Sequence, residues 1–167
     1  QQNFDINKLK PILGDLLSTI ETEKIDFNSI NIFSFNINKN LKLNDLKLET
    51  DLNLKNLKIV KNYLDLKTFL PNYNKQVKLK EHKIKIKLTK DIIDIKGKGN
   101  IYIGDEVEQL YYKINNNDGT ITFDTKLNIK NNPLIINFLD YEKEKGDSSE
   151  ILLKGIYKKN KELIFQT

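Results

Sequence analysis

The chain has 167 residues, with 28 basic side chains against 23 acidic ones, a single His and a formal net charge of +5. It contains no Cys, Met or Trp, and every basic residue is Lys. That composition excludes disulfides and thiolate metal sites, and one His cannot build a His-based metal cluster.

The length suits one domain with a real core, or a slice of a larger array. A chain that begins at Gln1 and lacks Met is expected to be a processed or excised piece, with any anchor or address outside it. No apolar run reaches the length that spans a bilayer, and no signal-peptide pattern is visible. The absence of Cys fits a cytosolic or a periplasmic home equally. Because the lysines are interleaved with acids, the net charge reads as a generally solvated face and not as a polyanion site.

The first element in chain order is a helix. In "INKLKPILGDLLSTIETE" the residues Ile6, Leu9, Ile12, Leu13, Leu16, Leu17 and Ile20 recur at three- and four-residue steps and form one apolar stripe. The spacing predicts a helix over about 7–23, with Pro11 suited to its first turn. From about residue 27 onward the period changes to two. "INIFSFNIN" reads as a strand. Two eleven-residue near-repeats follow, "LKLNDLKLETD" from 41 and "LNLKNLKIVKN" from 52, each holding L-x-L-x-x-L-x-L or its Ile equivalent. The two-residue skip in each unit reverses the apolar face, and a bulge or tight turn would correct the reversal.

"FLPNYNK" is a turn by its Pro and Asn residues. "HKIKIKLTKD" then sets Ile84, Ile86 and Leu88 against lysines, and a turn near Lys90 leads into "DIIDIKGKGNIYIG". There Ile93, Ile95, Gly97, Gly99, Ile101 and Ile103 share one parity. After the turn "GDE", "VEQLYYKI" aligns Leu110, Tyr112 and Ile114. "NNNDGT" is a hairpin signal, since Asp-Gly accepts the positive φ angles of a type I′ turn. "TITFDTKLNIK" brings Ile121, Phe123, Leu127 and Ile129. "LIINFLDY" fits either a strand or two helical turns, "EKEKGDSS" is a charged loop, and "ILLKGIYKKNKELIFQT" is a last hairpin. The expected fold is mainly β: an antiparallel meander curved into an open groove, with one N-terminal helix and no internal linker.

The motifs that could carry chemistry are weak. "GKGNIYIG" spaces its glycines as G-x-G-x-x-x-x-G with strand on both sides, so it is no dinucleotide fingerprint. "NNNDG" lacks the acids and terminal Glu of a calcium loop. His82 reads as an exposed strand-edge residue. The acidic residues Asp105, Glu106, Glu142 and Glu144 sit in turn-like, Lys-rich surroundings and not in a desolvated cleft. Neither a catalytic constellation nor a cofactor site emerges, and nucleic-acid binding is not expected, because the Lys face carries few aromatics and many acids.

Two glycines in the middle of an apolar strand face pose a question. They could relieve crowding on a bent sheet and admit an apolar ligand to the backbone, or they could form a notch for a bulky Phe or Tyr from a facing layer.

From "LPNYNKQVKLKEHKIKIKLTKDIIDIKGKGNIYIGDEVEQLYYKI" to "LDYEKEKGDSSEILLKGIYKKNKELIF", over roughly residues 60–167, the chain resembles the AsmA-like superfamily, and more narrowly the large AsmA-like envelope proteins of alphaproteobacteria. The shared features are their order: the strand "IDIKGKGNIYI", "LYYKI", an Asx/Gly hairpin, "LDYEKEKG", then "ILLKGIYKKN". The resemblance implies a periplasmic section of an inner-membrane-anchored, bridge-like lipid transfer protein built from repeating β-grooves. Residues 1–167 would be a single groove segment of a larger protein, flanked by neighbouring β-groove segments, with the membrane anchor outside it. Its partners would be phospholipid acyl chains passing between inner and outer membranes. The lipid-facing set is then Ile84, Ile86, Leu88, Ile93, Ile95, Gly97, Gly99, Ile101, Ile103, Leu110, Tyr112, Ile114, Ile121, Phe123, Leu127 and Ile129. The alternative is a closed β-domain acting as a protein-interaction or structural module of the cell envelope. A peripheral enzyme domain ranks last, for want of a site.

Overall fold

The structure is a computed structural model that describes residues 20–59, 66–74, 76–90, 92–158 and 163–166. Eight strands form one sheet in the order β1 (Ile20–Ile37), β2 (Leu43–Ile59), β3 (Val77–Thr89), β4 (Ile92–Ile103), β5 (Glu106–Asn117), β6 (Thr120–Ile129), β9 (Ser149–Lys158) and β10 (Leu163–Gln166). All neighbours pair antiparallel. The sheet is an open meander, with β1 and β10 at its two edges. Between β6 and β9 the chain leaves the sheet to form a small hairpin, β7 (Leu134–Ile136) with β8 (Tyr141–Lys143).

One expectation is corrected and one open reading is resolved. The helix over about 7–23 falls mostly on residues 1–19, outside the described residues, but 20–23 belong to β1 and no α-helix occurs among the described residues. The ambiguous "LIINFLDY" is β7, a single 3-10 turn at Asn137–Leu139 and the start of β8.

The skips in the two near-repeats are bulges, as their pattern requires. Ser34 pairs with Lys47 and Asn36 with Asn44, so β2 carries an extra residue there, at Asp45 with φ 52°. Phe27 pairs with Leu54 and Asp26 with Asn56, which makes Lys55 the second extra residue. A matching bulge follows in β3, where Glu81 takes φ 52° and the register with β4 slips between Lys80 and Lys83. Leu79 and His82 therefore both point to the apolar face, although they are three residues apart. The hairpin tips also follow from sequence: Asp118 and Gly119 have φ 47° and 75°, the two positive values a type I′ turn needs.

While Leu54 and His82 are buried apart from it in mid-sheet, the main buried hydrophobic cluster among the described residues sits at one end of the sheet, near the β4–β5 turn. Ile103 and Ile129 pack there against Leu70 and Tyr73 from the loop after β2 and against Leu134 of β7. The Ile135 N–H donates to the Phe69 carbonyl at 2.9 Å, joining loop and hairpin into one cap. Gly104, at φ 62°, passes so close to this loop that a methyl group there would lie 2.6 Å from the Asn72 carbonyl oxygen.

The cap is anchored by one carboxylate. Glu108 is buried, and its Oε1 accepts the backbone N–H of Asn131 at 2.8 Å, that of Asn132 at 2.7 Å, and the Asn132 side-chain amide at 2.9 Å. Its Oε2 accepts the Lys130 N–H at 2.8 Å. The buried Lys143 Nζ donates to the carbonyls of Asn132 and Glu144, both at 2.8 Å. The "NNP" turn is thus held by a charged group at each side, where an unfilled donor or acceptor would be costly.

Candidate functional site

Cross-strand register decides which side chains share a face. Leu88, Ile86 and Ile84 of β3 stand opposite Ile93, Ile95 and Gly97 of β4. Ile95, Gly97 and Gly99 stand opposite Ile114, Tyr112 and Leu110 of β5. Ile114, Leu110 and Asn116 then face Phe123, Leu127 and Ile121 of β6. All sixteen residues singled out from the sequence therefore lie on one face of the sheet. Thr50, His82, Glu108, Asn116 and Thr125 interrupt its apolar character.

The sixteen do not share one environment. Ile103 and Ile129 are 2% and 0% exposed beneath the cap, and Ile101 and Leu127 pack against them, so this end of the face is internal core. Beyond it Ile84, Ile86, Leu88, Ile93, Ile95, Ile114, Ile121 and Phe123 are half-buried, shielded by their lateral neighbours. The main contacts of each of these strands are with its hydrogen-bonded neighbours in the sheet, and no second layer packs face to face among the described residues.

Gly97 and Gly99 are filled from within the sheet. A methyl group at Gly97 would overlap the Tyr112 ring, and one at Gly99 would overlap the His82 ring and lie 2.7 Å from the His82 Cα. The backbone that the sequence left free for an apolar ligand is thus covered by two rings. These come from adjacent strands, not from a facing layer. Gly155 repeats the device on β9, beneath the Phe123 ring. A ring laid over a cross-strand glycine restores the packing that the missing side chain forfeits.

His82 is a correction. Instead of an exposed edge residue it is 0% exposed, seated by the β3 bulge on the apolar face. Its Nε2 lies 3.0 Å from the Asn100 carbonyl oxygen, which can only accept, so Nε2 carries the proton. Nδ1 is then the acceptor facing the Tyr112 hydroxyl at 3.4 Å. Burial lowers the His82 pKa, and the hydrogen bond to Asn100 opposes that shift. Burial also pushes the Tyr112 hydroxyl up to about 12, so it stays protonated. The signal for His82 was present in the sequence: it shares parity with Ile84, three residues after Leu79.

The opposite face is polar. Ion pairs join Lys85 to Asp51 at 3.3 Å, Lys87 to Glu49 at 3.0 Å, Lys154 to Asp124 at 3.7 Å, and Lys126 to Glu150. Among the described residues no three His, Cys, Asp or Glu side chains are grouped to hold a metal ion, and no helix is long and apolar enough to cross a membrane. Comparison with known protein families, curated proteins and solved structures finds no match to this chain.

Proposed function

We propose that the uncovered part of the apolar face binds lipid acyl chains, and that the chain is one section of an AsmA-like, periplasmic hydrophobic conduit, in which the sheet bends into a groove. One observation carries this reading. The stretch formed by Ile84, Ile86, Leu88, Ile93, Ile95 and Ile114 continues beyond the cap with no second layer upon it among the described residues. A contiguous apolar surface that no covering layer closes off is characteristic of an interaction site. The edges at β1 and β10, unpaired among the described residues, suit a sheet that continues into neighbouring segments.

The energetics suit passage better than storage. A fully buried methylene is worth about 0.8 kcal/mol, so a half-covered chain of some fourteen methylenes gains roughly 5–6 kcal/mol before ordering costs. Binding of that strength is reversible. Head groups would remain in water, so little head-group preference follows.

The reading is tested by incubating the protein with mixed phosphatidylethanolamine and phosphatidylglycerol and recording native mass spectra. Lipid adducts of both kinds support it. A clean apo mass, together with no uptake of a fluorescent fatty acid, contradicts it.

A protein-interaction role is favoured by a different observation. β1 exposes Ile30 and Ile32 on one face and Phe33 on the other, at 71%, 64% and 61%, and its outer edge is unpaired among the described residues. Such an edge is a template for a further strand. In a conduit that strand would belong to the adjoining segment, so the two readings are compatible.

A further inference from the structure

The polar face of the sheet holds an open hollow of about 850 Å³ over β3–β6 and β9, lined by seven lysines and one acid, Asp124. Cross-strand register arranges its side chains in two rows. One row runs Lys83, Lys98, Tyr111, Lys126, Leu152, and the next runs Lys85, Lys96, Lys113, Asp124, Lys154. Lys83 thus stands directly opposite Lys98, and Lys96 lies between Lys85 and Lys113.

Like charges placed opposite one another destabilise a sheet. The flanks of this face neutralise their lysines, through Asp51 for Lys85, Glu150 for Lys126 and Asp124 for Lys154. The centre does not. Lys83, Lys96, Lys98 and Lys113 have no acid within ion-pair reach among the described residues. Asp124, beside Lys113 in the second row, is paired with Lys154, and Asp94, one row further along the strands, is turned to the Asn115 amide at 2.7 Å. The charge is therefore concentrated and uncompensated at one place, unlike the evenly solvated face that the composition suggested.

We propose that this hollow is a binding site for a compact ligand that bears several phosphate groups. Neighbouring rows of a β-sheet are about 7 Å apart and neighbouring strands about 4.8 Å, so the four ammonium groups can engage separate phosphates of one ligand at once. Lysine suits the task as a mobile point charge for phosphate. Tyr111 and Leu152, both exposed, give the ligand's carbon framework an apolar floor between the charges. The volume lies in the range of small-molecule sites. The proposal concerns the face opposite the apolar one and does not depend on acyl-chain binding.

The test uses inositol hexakisphosphate as the probe, with orthophosphate and inositol as controls, followed by calorimetry. Inositol hexakisphosphate should bind at least about tenfold more tightly than orthophosphate and should weaken sharply at about 0.5 M salt, while inositol should not bind. The Lys96→Gln/Lys98→Gln double variant should lose at least about tenfold in affinity, whereas Lys42→Gln, in the exposed β1–β2 turn, should bind as the wild type does. The double variant should also melt no lower than the wild type, because it relieves repulsion; this readout separates lost binding from lost folding. The proposal is overturned if the probe does not bind, if both variants weaken it equally, or if the double variant binds normally. Binding to phosphatidylglycerol vesicles or single-stranded DNA without binding to the probe also overturns it, in favour of an extended polyanionic surface.

Discussion

The Tyr112 ring lies across the backbone of Gly97, in the space that any side chain at residue 97 would occupy. The two residues face each other directly across β4 and β5, so the glycine is a seat for the ring. Gly97→Ala should therefore destabilise the sheet by about 1–3 kcal/mol through overpacking, although alanine ordinarily favours a strand over glycine. Tyr112→Ala should remove much of that penalty in the double variant, giving a coupling energy of roughly 0.5–3 kcal/mol in urea denaturation. Strictly additive effects would show that the ring and the glycine are independent.

His82 makes stability depend on pH. Its folded pKa is lowered by burial, below an unfolded value of about 6.5. The unfolded chain therefore binds the proton first. The His82 contribution is fully present above about pH 6.5 and is lost as pH falls toward the folded value, at no more than about 1.4 kcal/mol per pH unit. Melting temperatures measured between about pH 7.5 and 5 should fall for the wild type and flatten in His82→Gln. Parallel curves for the two proteins would rule His82 out as the source.

Glu108 should dominate the stability of the cap. Its carboxylate accepts four N–H groups from Lys130, Asn131 and Asn132. Glu108→Ala leaves them without their acceptor, at a cost of about 3 kcal/mol or more. Hydrogen exchange should accelerate in 130–146 and around Leu70 and Tyr73 ahead of β3 and β4. Uniform acceleration would mean that cap and sheet open as one unit.

The β1 edge should drive self-association. Residues 28–37, "NSINIFSFNI", contain no charge and no Pro, the usual protections of a sheet edge. Ile30→Lys/Ile32→Lys should reduce association measured by light scattering while leaving the melting temperature within a few degrees of the wild type. Unchanged association would place the contact elsewhere.

The sequence made parity legible and left pairing hidden. Alternation in "HKIKIKL" and "IDIKGKGNIYI" assigned the apolar face, and the skips at Asp45 and Lys55 announced their bulges, because both are local properties of one strand. What Gly97 and Gly99 do depends on residues 15 and 17 positions away, Tyr112 and His82, and on cross-strand pairing that the parity switch between Leu79 and Ile84, the mark of the bulge at Glu81, does not specify. The lysines are a parallel case. Composition shows that they are interleaved with acids, but only register shows Lys83 facing Lys98 and Lys96 facing Lys113. Ile103 and Ile129 read like any other members of the face, since the segments that bury them, around Leu70 and Leu134, are distant in sequence.

The central claim, that the uncapped apolar face meets acyl chains, is tested most directly by site-specific photo-crosslinking to a radiolabelled phospholipid. A photoreactive side chain is placed at Ile86 or Ile95 on the apolar face, and at their polar-face neighbours Lys85 or Lys96. The account expects lipid labelling at Ile86 and Ile95, little at Lys85 and Lys96, and none at Ile129 beneath the cap. Equal labelling on both faces, or labelling at Lys85 and Lys96 alone, would contradict it.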